Sequence, residues 1–207
     1  MAKGKNDVIL RDRLQFTLDA AGNLPVVYGR MDLSDYVNAV EKKGLAVKEL
    51  HVQPRIQNGS SGLYPGILTN TGSWTQATDV APTASQADAA SALKVFATTR
   101  AYQHAYDVGI GSPDVFHLEE WVTSQHVYFA PDQPQTYEVN FEHRVYTPLD
   151  LHPDGYALVS DILIGVAADD MTGYDEATLE LDVMVIAEPI TIGAKQLTEM
   201  LTQAQDI

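Results

Sequence analysis

The chain has 207 residues, of which 45% are hydrophobic and 20% charged, and this composition predicts one globular domain rather than a disordered chain. It contains no cysteine, which excludes disulfides, zinc–thiolate sites and a thiol nucleophile, and no apolar run long enough to predict a transmembrane helix. A formal net charge of −15 disfavours a broad nucleic-acid-binding face. The N-terminal residues lack an apolar segment, so we expect no signal peptide.

The charge is unevenly distributed along the chain. Residues 1–55 carry nine lysine and arginine residues against seven acids, whereas residues 56–207 carry four against 21. We interpret 1–13 as an exposed arm, with contact to nucleic acid or lipid headgroups as the alternative. The candidate interaction residues of this arm are Lys3, Lys5, Arg11 and Arg13. The acidic remainder is typical of a protein from a saline or halophilic source, although solubility alone is the simpler explanation.

Alternation of apolar and polar residues predicts eight or nine strands. In chain order they lie at 8–18, 24–30, 45–55, 63–69, 95–108, 119–129, 135–147, 156–167 and 177–186. We expect 8–30 to form a hairpin and Pro189 to end the last strand. In 135–147 the alternation places Phe141, His143 and Val145 on one face, which we expect to be half-buried.

Helices are few in this pattern. We predict short helices at 34–43, 84–96 and 194–204, and a long surface loop at 69–92, where small and polar residues predominate. Many turn-bounded strands and few helices favour an all-β fold, an antiparallel β-sandwich or jelly roll of about eight strands with one to three short helices. We expect a single sandwich domain over 14–207. The sequence does not separate a jelly roll from an immunoglobulin-like strand order.

No catalytic constellation is recognisable in the sequence. His117, Glu119 and His126 would share a metal only if a turn brought residue 117 beside residue 126. If His117, His126 and His143 converged in one cavity, a cupin-like enzyme would be favoured. Adjacent carboxylates at Glu119 and Glu120 point to opposite faces of a regular strand, so they cannot both serve one site. We interpret them as charges on an edge strand and predict no catalytic and no cofactor-binding residue.

A turn at 168–176 clusters four acids around a glycine. Calcium binds carboxylate and carbonyl oxygens, so Asp169, Asp170 and Asp175 are candidate ligands of a structural calcium ion. Their spacing departs from the EF-hand pattern, and a solvated turn is the simpler interpretation.

Two further candidate interaction sites lie outside the predicted strands. Trp74 stands in the polar loop, where it is a contact for a partner or a sugar, or packs the loop onto the sandwich. The predicted terminal helix carries an apolar stripe that we expect to support assembly, formed by Leu197, Met200 and Leu201.

The mixed-charge arm, the set of strands, the long loop and the acidic bulk together resemble the jelly-roll major capsid proteins of icosahedral viruses, of the single-jelly-roll type. The segments 32–37 (DLSDYV) and 179–186 carry the resemblance, which is architectural. It implies a self-assembling capsid subunit, located in the virion, that contacts other copies through its loops and termini. It also implies an arm facing the genome or an internal membrane, and no small-molecule substrate.

Two alternatives stand beside this resemblance. The first is a β-sandwich binding module, such as a carbohydrate-binding domain, an attachment domain or a tail component. The second is a cupin-like metal enzyme. The absence of a strongly basic arm is a departure from capsid proteins that package nucleic acid directly, and it favours a membrane-lined virion, a capsid filled by other means, or a different protein.

Overall fold

The computed structural model describes residues 6–38, 40–57, 86–128, 136–153, 155–171, 174 and 176–193, and the structural statements below refer to these residues. The strands are β1 (Val8–Thr17), β2 (Leu24–Met31), β3 (Lys43–Ile56), β4 (Gln86–Thr98), β5 (Val115–Tyr128), β6 (Thr136–Tyr146), β7 (Tyr156–Leu158), β8 (Ile162–Asp169) and β9 (Thr178–Thr191). A single helical turn, α1 (Pro148–Leu151), follows β6, and a 3-10 turn spans Ala105–Asp107. None of the described helices is long and apolar enough to cross a membrane.

The strands form two antiparallel sheets with orders β1-β9-β3-β7 and β2-β8-β4-β5-β6. Apart from β6, which extends one edge, this is the strand order of two interleaved Greek keys, a jelly roll. The all-β sandwich expected from the sequence is therefore confirmed. The alternative that the sequence left open, an immunoglobulin-like order, pairs the first strand with the second; it is excluded because β1 pairs with β9 and β2 with β8 in the other sheet.

Two expectations about strand pairing are wrong. Instead of forming a hairpin, β1 pairs with β9 from Val8↔Ala187 to Thr17↔Thr178, while β2 pairs with β8 in the other sheet. Alternation determines which side chains share a face, not which strand becomes the neighbour. Pro189 does not end β9, which continues to Thr191. Past Ala187 the only described partner of β9 is β3, so the other edge of the strand needs no backbone N–H donor and a proline is tolerated there.

Two of the predicted helices are also wrong. Residues 34–38 and 40–43 form turns and a bridge between Asn38 and Lys43, whose backbone groups exchange hydrogen bonds of 3.0 and 2.9 Å. The alanine-rich segment 84–96 lies largely in β4, which pairs with β5 on one side and β8 on the other. Hydrogen bonding to two neighbouring strands outweighs the helix propensity of alanine.

Other predicted boundaries shift or fall outside the described residues. The loop expected at 69–92 overlaps β4 from residue 86, and the strand expected at 95–108 ends at Thr98. The segment 156–167 divides into β7 and β8, which lie in different sheets. The strand expected at 63–69 and the helix expected at 194–204 lie outside the described residues.

The main core lies between the sheets. On β9 the predicted apolar face is fully buried, with Leu179, Leu181, Val183 and Val185 each at most 2% exposed. These side chains belong to one cluster with Leu93 of β4 and other inward residues of the five-stranded sheet. Complete burial of each such side chain stabilises the fold by about 1.5–3 kcal/mol.

A second, smaller core covers the outer face of the five-stranded sheet. Its buried members are Phe96, Val108, Val115 and Leu118. The connection between β4 and β5, residues 99–114, packs over Phe96 and is called the β4–β5 loop below. Tyr28 and Tyr102 fix the loop to β2, because the Tyr28 hydroxyl donates to the Tyr102 carbonyl (3.0 Å) and accepts from the Tyr102 N–H (2.6 Å).

Candidate functional site

A buried carboxylate lies between the sheets, where β5 directs Glu119 inward. One carboxylate oxygen is 2.8 Å from Nε2 of His117, two residues away on the same strand face. The other oxygen is 3.0 Å from Nε2 of His143 on β6. Glu119 is 5% exposed and His117 only 1%. We call these three residues the His–Glu–His cluster.

The position of His143 is fixed by its neighbour on β5. Trp121 and His143 are paired residues of the β5–β6 ladder, and their rings stack with centroids 4.6 Å apart and an interplanar angle of 12°. The Trp121 ring is buried, whereas the His143 side chain remains 37% exposed. The cluster therefore has one end in the core and one end accessible to water.

A cavity of about 250 Å³ opens beside the cluster, between β3 and the inward face of β6. Glu119 lies in its wall together with Leu50 and Val145. Lys48 also lines the opening and makes ion pairs of 2.7 Å with Asp7 and Glu188. These hydrogen bonds, to Asp7 first and Glu188 second, raise the pKa of Lys48 above its ordinary value.

The cluster is arranged as a hydrogen-bond network. The two imidazoles approach different oxygens of the carboxylate, so their nitrogens do not converge on one point. Within the described ranges, no group of three or more histidine, cysteine, aspartate or glutamate side chains is placed to hold a metal ion. With Nε2–H as the donor on each ring, both carboxylate oxygens are satisfied in the interior, which is what burial of a charge requires.

The structure brings together part of what the sequence suggested. His117, Glu119 and His143 meet, whereas the side chain of His126 lies outside the described part. Glu119 and Glu120 do point to opposite faces, because Glu120 lies on the outer face, 3.1 Å from Lys94. The interpretation of their strand as an edge is wrong, because β5 lies between β4 and β6.

The approach of His143 to Glu119 had a signal in the sequence that was missed. The predicted strands 119–129 and 135–147 are joined by a short segment that contains two prolines and an aspartate, a typical turn composition. A hairpin centred on that segment pairs Trp121 with His143, as the observed register does. Residue 119 then shares an inward face with both.

An apolar surface adjoins the cluster on the edge strand β6. Phe141 is 53% exposed and Val145 42%, and Leu149 at α1 is 39% exposed. We call these three residues the β6 ledge. This face of β6, which alternation predicted to be half-buried, is not fully covered by the opposite sheet. The edge strand β7 of that sheet pairs only with Leu45–Val47, and beyond that point β3 has only β9 as a described partner.

The acidic turn shows no metal geometry in its described part. Asp169 is exposed at the end of β8, and Asp170 has a positive φ of 51° with its N–H bonded to the side chain of Asn23 at 2.8 Å. Asp175, the third candidate ligand, lies outside the described residues. The calcium site therefore stays a prediction, with two of its candidate ligands on an exposed turn.

The predicted arm is partly built into the four-stranded sheet. Arg11 and Arg13 lie in β1, and Arg13 makes an ion pair of 2.6 Å with Asp182 of β9. The remaining candidate interaction residues lie outside the described residues: Lys3, Lys5, Trp74, Leu197, Met200 and Leu201.

Comparison with known proteins identifies no family for this chain. No family model matches the chain, and no curated protein matches it. Among solved structures, the tailspike protein of Acinetobacter baumannii phage AM24 aligns with 90% of this chain at 10% identity and a TM-score of 0.18. The alignment spans 27% of the tailspike chain. A similarity at this level carries no argument about fold or function.

Proposed function

We propose that this chain is a structural subunit of a virion, which assembles with copies of itself into a shell. Jelly rolls occur in capsid proteins, lectins and cupins, so the strand order is compatible with this function without deciding it. The observation that carries the proposal is the β6 ledge, three apolar side chains on and beside an edge strand. An edge strand with an exposed apolar face is a ready site for contact with another chain.

The chemistry of β6 suits contact with a second copy. Its inward-facing side presents Phe141 and Val145, while its outer side carries Glu142 and Arg144, which neutralise each other through contacts of 2.7 and 2.6 Å. A copy packed against the ledge therefore covers apolar surface without burying an unpaired charge of this strand. Assembly through the ledge leaves the loops at the ends of the jelly roll free for other contacts.

The net charge sets the conditions under which assembly is expected. At −15, copies of the chain repel one another until counterions screen the charge, and the screening length falls from about 10 Å at 0.1 M to about 3 Å at 1 M salt. We therefore expect particle yield to rise between dilute and molar NaCl.

The test is molar mass by light scattering with negative-stain imaging, in dilute and molar NaCl. The wild type is expected to form regular high oligomers or closed particles at high salt. Phe141→Ser with Val145→Ser should shift the mass toward the monomer. Val40→Ser is the matched control, since Val40 is 92% exposed and precedes β3, outside the three residues of the ledge.

Two results contradict the proposal. A wild-type protein that is monomeric at every salt concentration removes the self-assembling subunit. Particles that form equally well from the double variant, with the control unchanged, retain assembly but remove the ledge as its contact.

A further inference from the structure

A groove of about 590 Å³ lies on the outer face of the five-stranded sheet, on the opposite side from the His–Glu–His cluster and away from the β6 ledge. One wall is the start of β2, and the other is the β4–β5 loop at Gln103–Tyr106. Small and apolar side chains form the floor: Ala92, Val122 and Ala167. This volume is within the usual range for sites that bind small molecules.

A row of charged side chains crosses the floor. Lys94, Glu120 and Arg144 are neighbours in the ladders of β4, β5 and β6. The carboxylate of Glu120 is 3.1 Å from Lys94 Nζ and 3.9 Å from the Arg144 guanidinium. Arg144 is also paired with Glu142, at 2.6 Å. Among the described residues that line the groove, the lysine and the arginine are thus both already paired with carboxylates, and neither is a free cation for an anionic ligand.

Asp169 lines the groove as well, at the end of β8. With this carboxylate and the acidic character of the whole chain, the site repels anions rather than attracting them. The polar groups that remain are suited to hydrogen bonds with an uncharged ligand. Carboxylates accept from hydroxyls, and the Arg144 guanidinium and the Gln103 amide donate to them.

Two stacked rings stand at the rim. His104 and Tyr106 lie with centroids 4.8 Å apart and an interplanar angle of 11°, and Tyr106 is 80% exposed. A flat aromatic surface presented to water beside hydrogen-bonding groups matches one class of ligand well. A pyranose ring has an apolar C–H face, which packs on an aromatic ring, and a rim of hydroxyls.

The rings are held in place before any ligand arrives. Lys94 Nζ, besides its contact with Glu120, donates to the carbonyl oxygens of Ala105 (3.1 Å) and Val108 (2.6 Å), which flank Tyr106 in the loop. The hydroxyl of Ser112 donates to the Asp107 carbonyl at 3.1 Å. A binding surface fixed in advance loses less conformational entropy on binding.

We propose that this groove binds a neutral oligosaccharide. A sugar ring packs on the face of Tyr106, and its hydroxyls bond to Glu120, Arg144 and the Gln103 amide. The site is independent of assembly through the β6 ledge, and it gives a shell subunit a second capacity, recognition of a glycan.

The experiment titrates the full chain with cellotriose, maltotriose, lactose and N,N′-diacetylchitobiose, followed by saturation-transfer NMR and calorimetry. Sialyllactose is the anionic comparison. We expect one or more of the neutral sugars to bind, and Tyr106→Ala to weaken that binding by at least about fivefold. Tyr106→Phe, which keeps the ring, should retain most of the affinity.

Ile110→Ala is the matched control, because Ile110 is an exposed apolar residue of the same loop outside the lining of the groove. Circular dichroism establishes that each variant is folded. The proposal is overturned if no neutral sugar binds up to about 10 mM. It is also overturned if sialyllactose alone binds, or if Tyr106→Ala and Ile110→Ala have the same effect. None of these outcomes bears on whether the protein assembles.

Discussion

The two sheets of the jelly roll treat their outer faces differently. On the four-stranded sheet, Arg13 and Arg55 flank Asp182 in a charged row close to solvent. On the five-stranded sheet, Phe96 and Leu118 occupy the corresponding outward positions and are buried beneath the β4–β5 loop. Alternation along a strand is the same in both cases. What differs is whether a connection folds back over the outer face and gives it a core of its own.

The difference predicts an unequal distribution of stability. Substitutions beneath the loop remove buried apolar contacts or unpair buried polar groups, whereas those in the charged row change interactions that water and salt already weaken. Four substitutions test this contrast by their effects on the free energy of unfolding.

The largest effect is expected for Phe96→Ala. The Phe96 ring is fully buried and makes edge-to-face contacts with Tyr28 (5.8 Å) and Tyr102 (6.5 Å). Its removal should cost about 3–5 kcal/mol, measured by urea unfolding. Phe141→Ala, the same change at a half-exposed site, is the control and should cost much less. Similar losses at both sites contradict a second core beneath the loop.

The next largest effect is expected for Gly165→Ala on β8. A methyl group at this position overlaps the ring of Phe96, and both belong to the crowded floor beneath the loop. Overpacking of this kind should cost about 2–3 kcal/mol. Gly109→Ala is the control, because no atom lies within 4 Å of the added methyl. In the Phe96→Leu background, Gly165→Ala should lower the free energy of unfolding by less. An unchanged loss would show that the added methyl does not act through the ring of Phe96.

Lys94→Met tests how the loop is attached. The variant keeps most of the apolar stem but leaves the carbonyls of Ala105 and Val108 without their donor, which should cost about 1–2 kcal/mol. Amide hydrogen exchange within 99–114 should accelerate while exchange in β9 changes little. Lys43→Met, at an exposed pair with Glu41, is the control. Uniform acceleration throughout the sheet contradicts a local attachment.

The smallest effect is expected for Asp182→Asn, at most about 1 kcal/mol and less in molar salt. The hydrogen bond from Arg13 is the main cause that lowers the pKa of Asp182 below its usual value of 3.8, with Arg55 adding to it. The stabilisation is therefore complete above the usual pKa and is lost as the pH falls through the lowered one. The difference between wild type and variant should vanish in that acidic range, and a difference that persists there excludes the ion pair as its origin.

The fold class could be predicted because alternation survives in the strands that face the main core. On β9 every predicted inward residue from Leu179 to Val185 is buried. The pairing of β1 with β9 could not be predicted, since the two strands carry no local signal that joins them. For β4 the alanine content favoured a helix, and the pairing with two neighbours that decided the outcome is a property of the whole sheet.

The candidate sites were predictable to different degrees. His117 and Glu119 share a strand face by spacing alone, and a hairpin register would have added His143. The groove could not be predicted, because it depends on how the β4–β5 loop returns over the sheet. Tyr106 was only one of ten tyrosines in the sequence, and its exposure and its stacking on His104 follow from that loop geometry.

The pairing of β1 with β9 has a consequence for how the molecule forms. Every residue of β1 finds its partner between Thr178 and Ala187, far away in the sequence, so this ladder closes only after residues 18–177 are available. Contacts so distant in sequence carry a large loop-closure cost and make folding slow. During synthesis β1 leaves the ribosome long before its partner does, and in that interval it is an unpaired strand that a chaperone, or a β9 of another copy, is free to occupy.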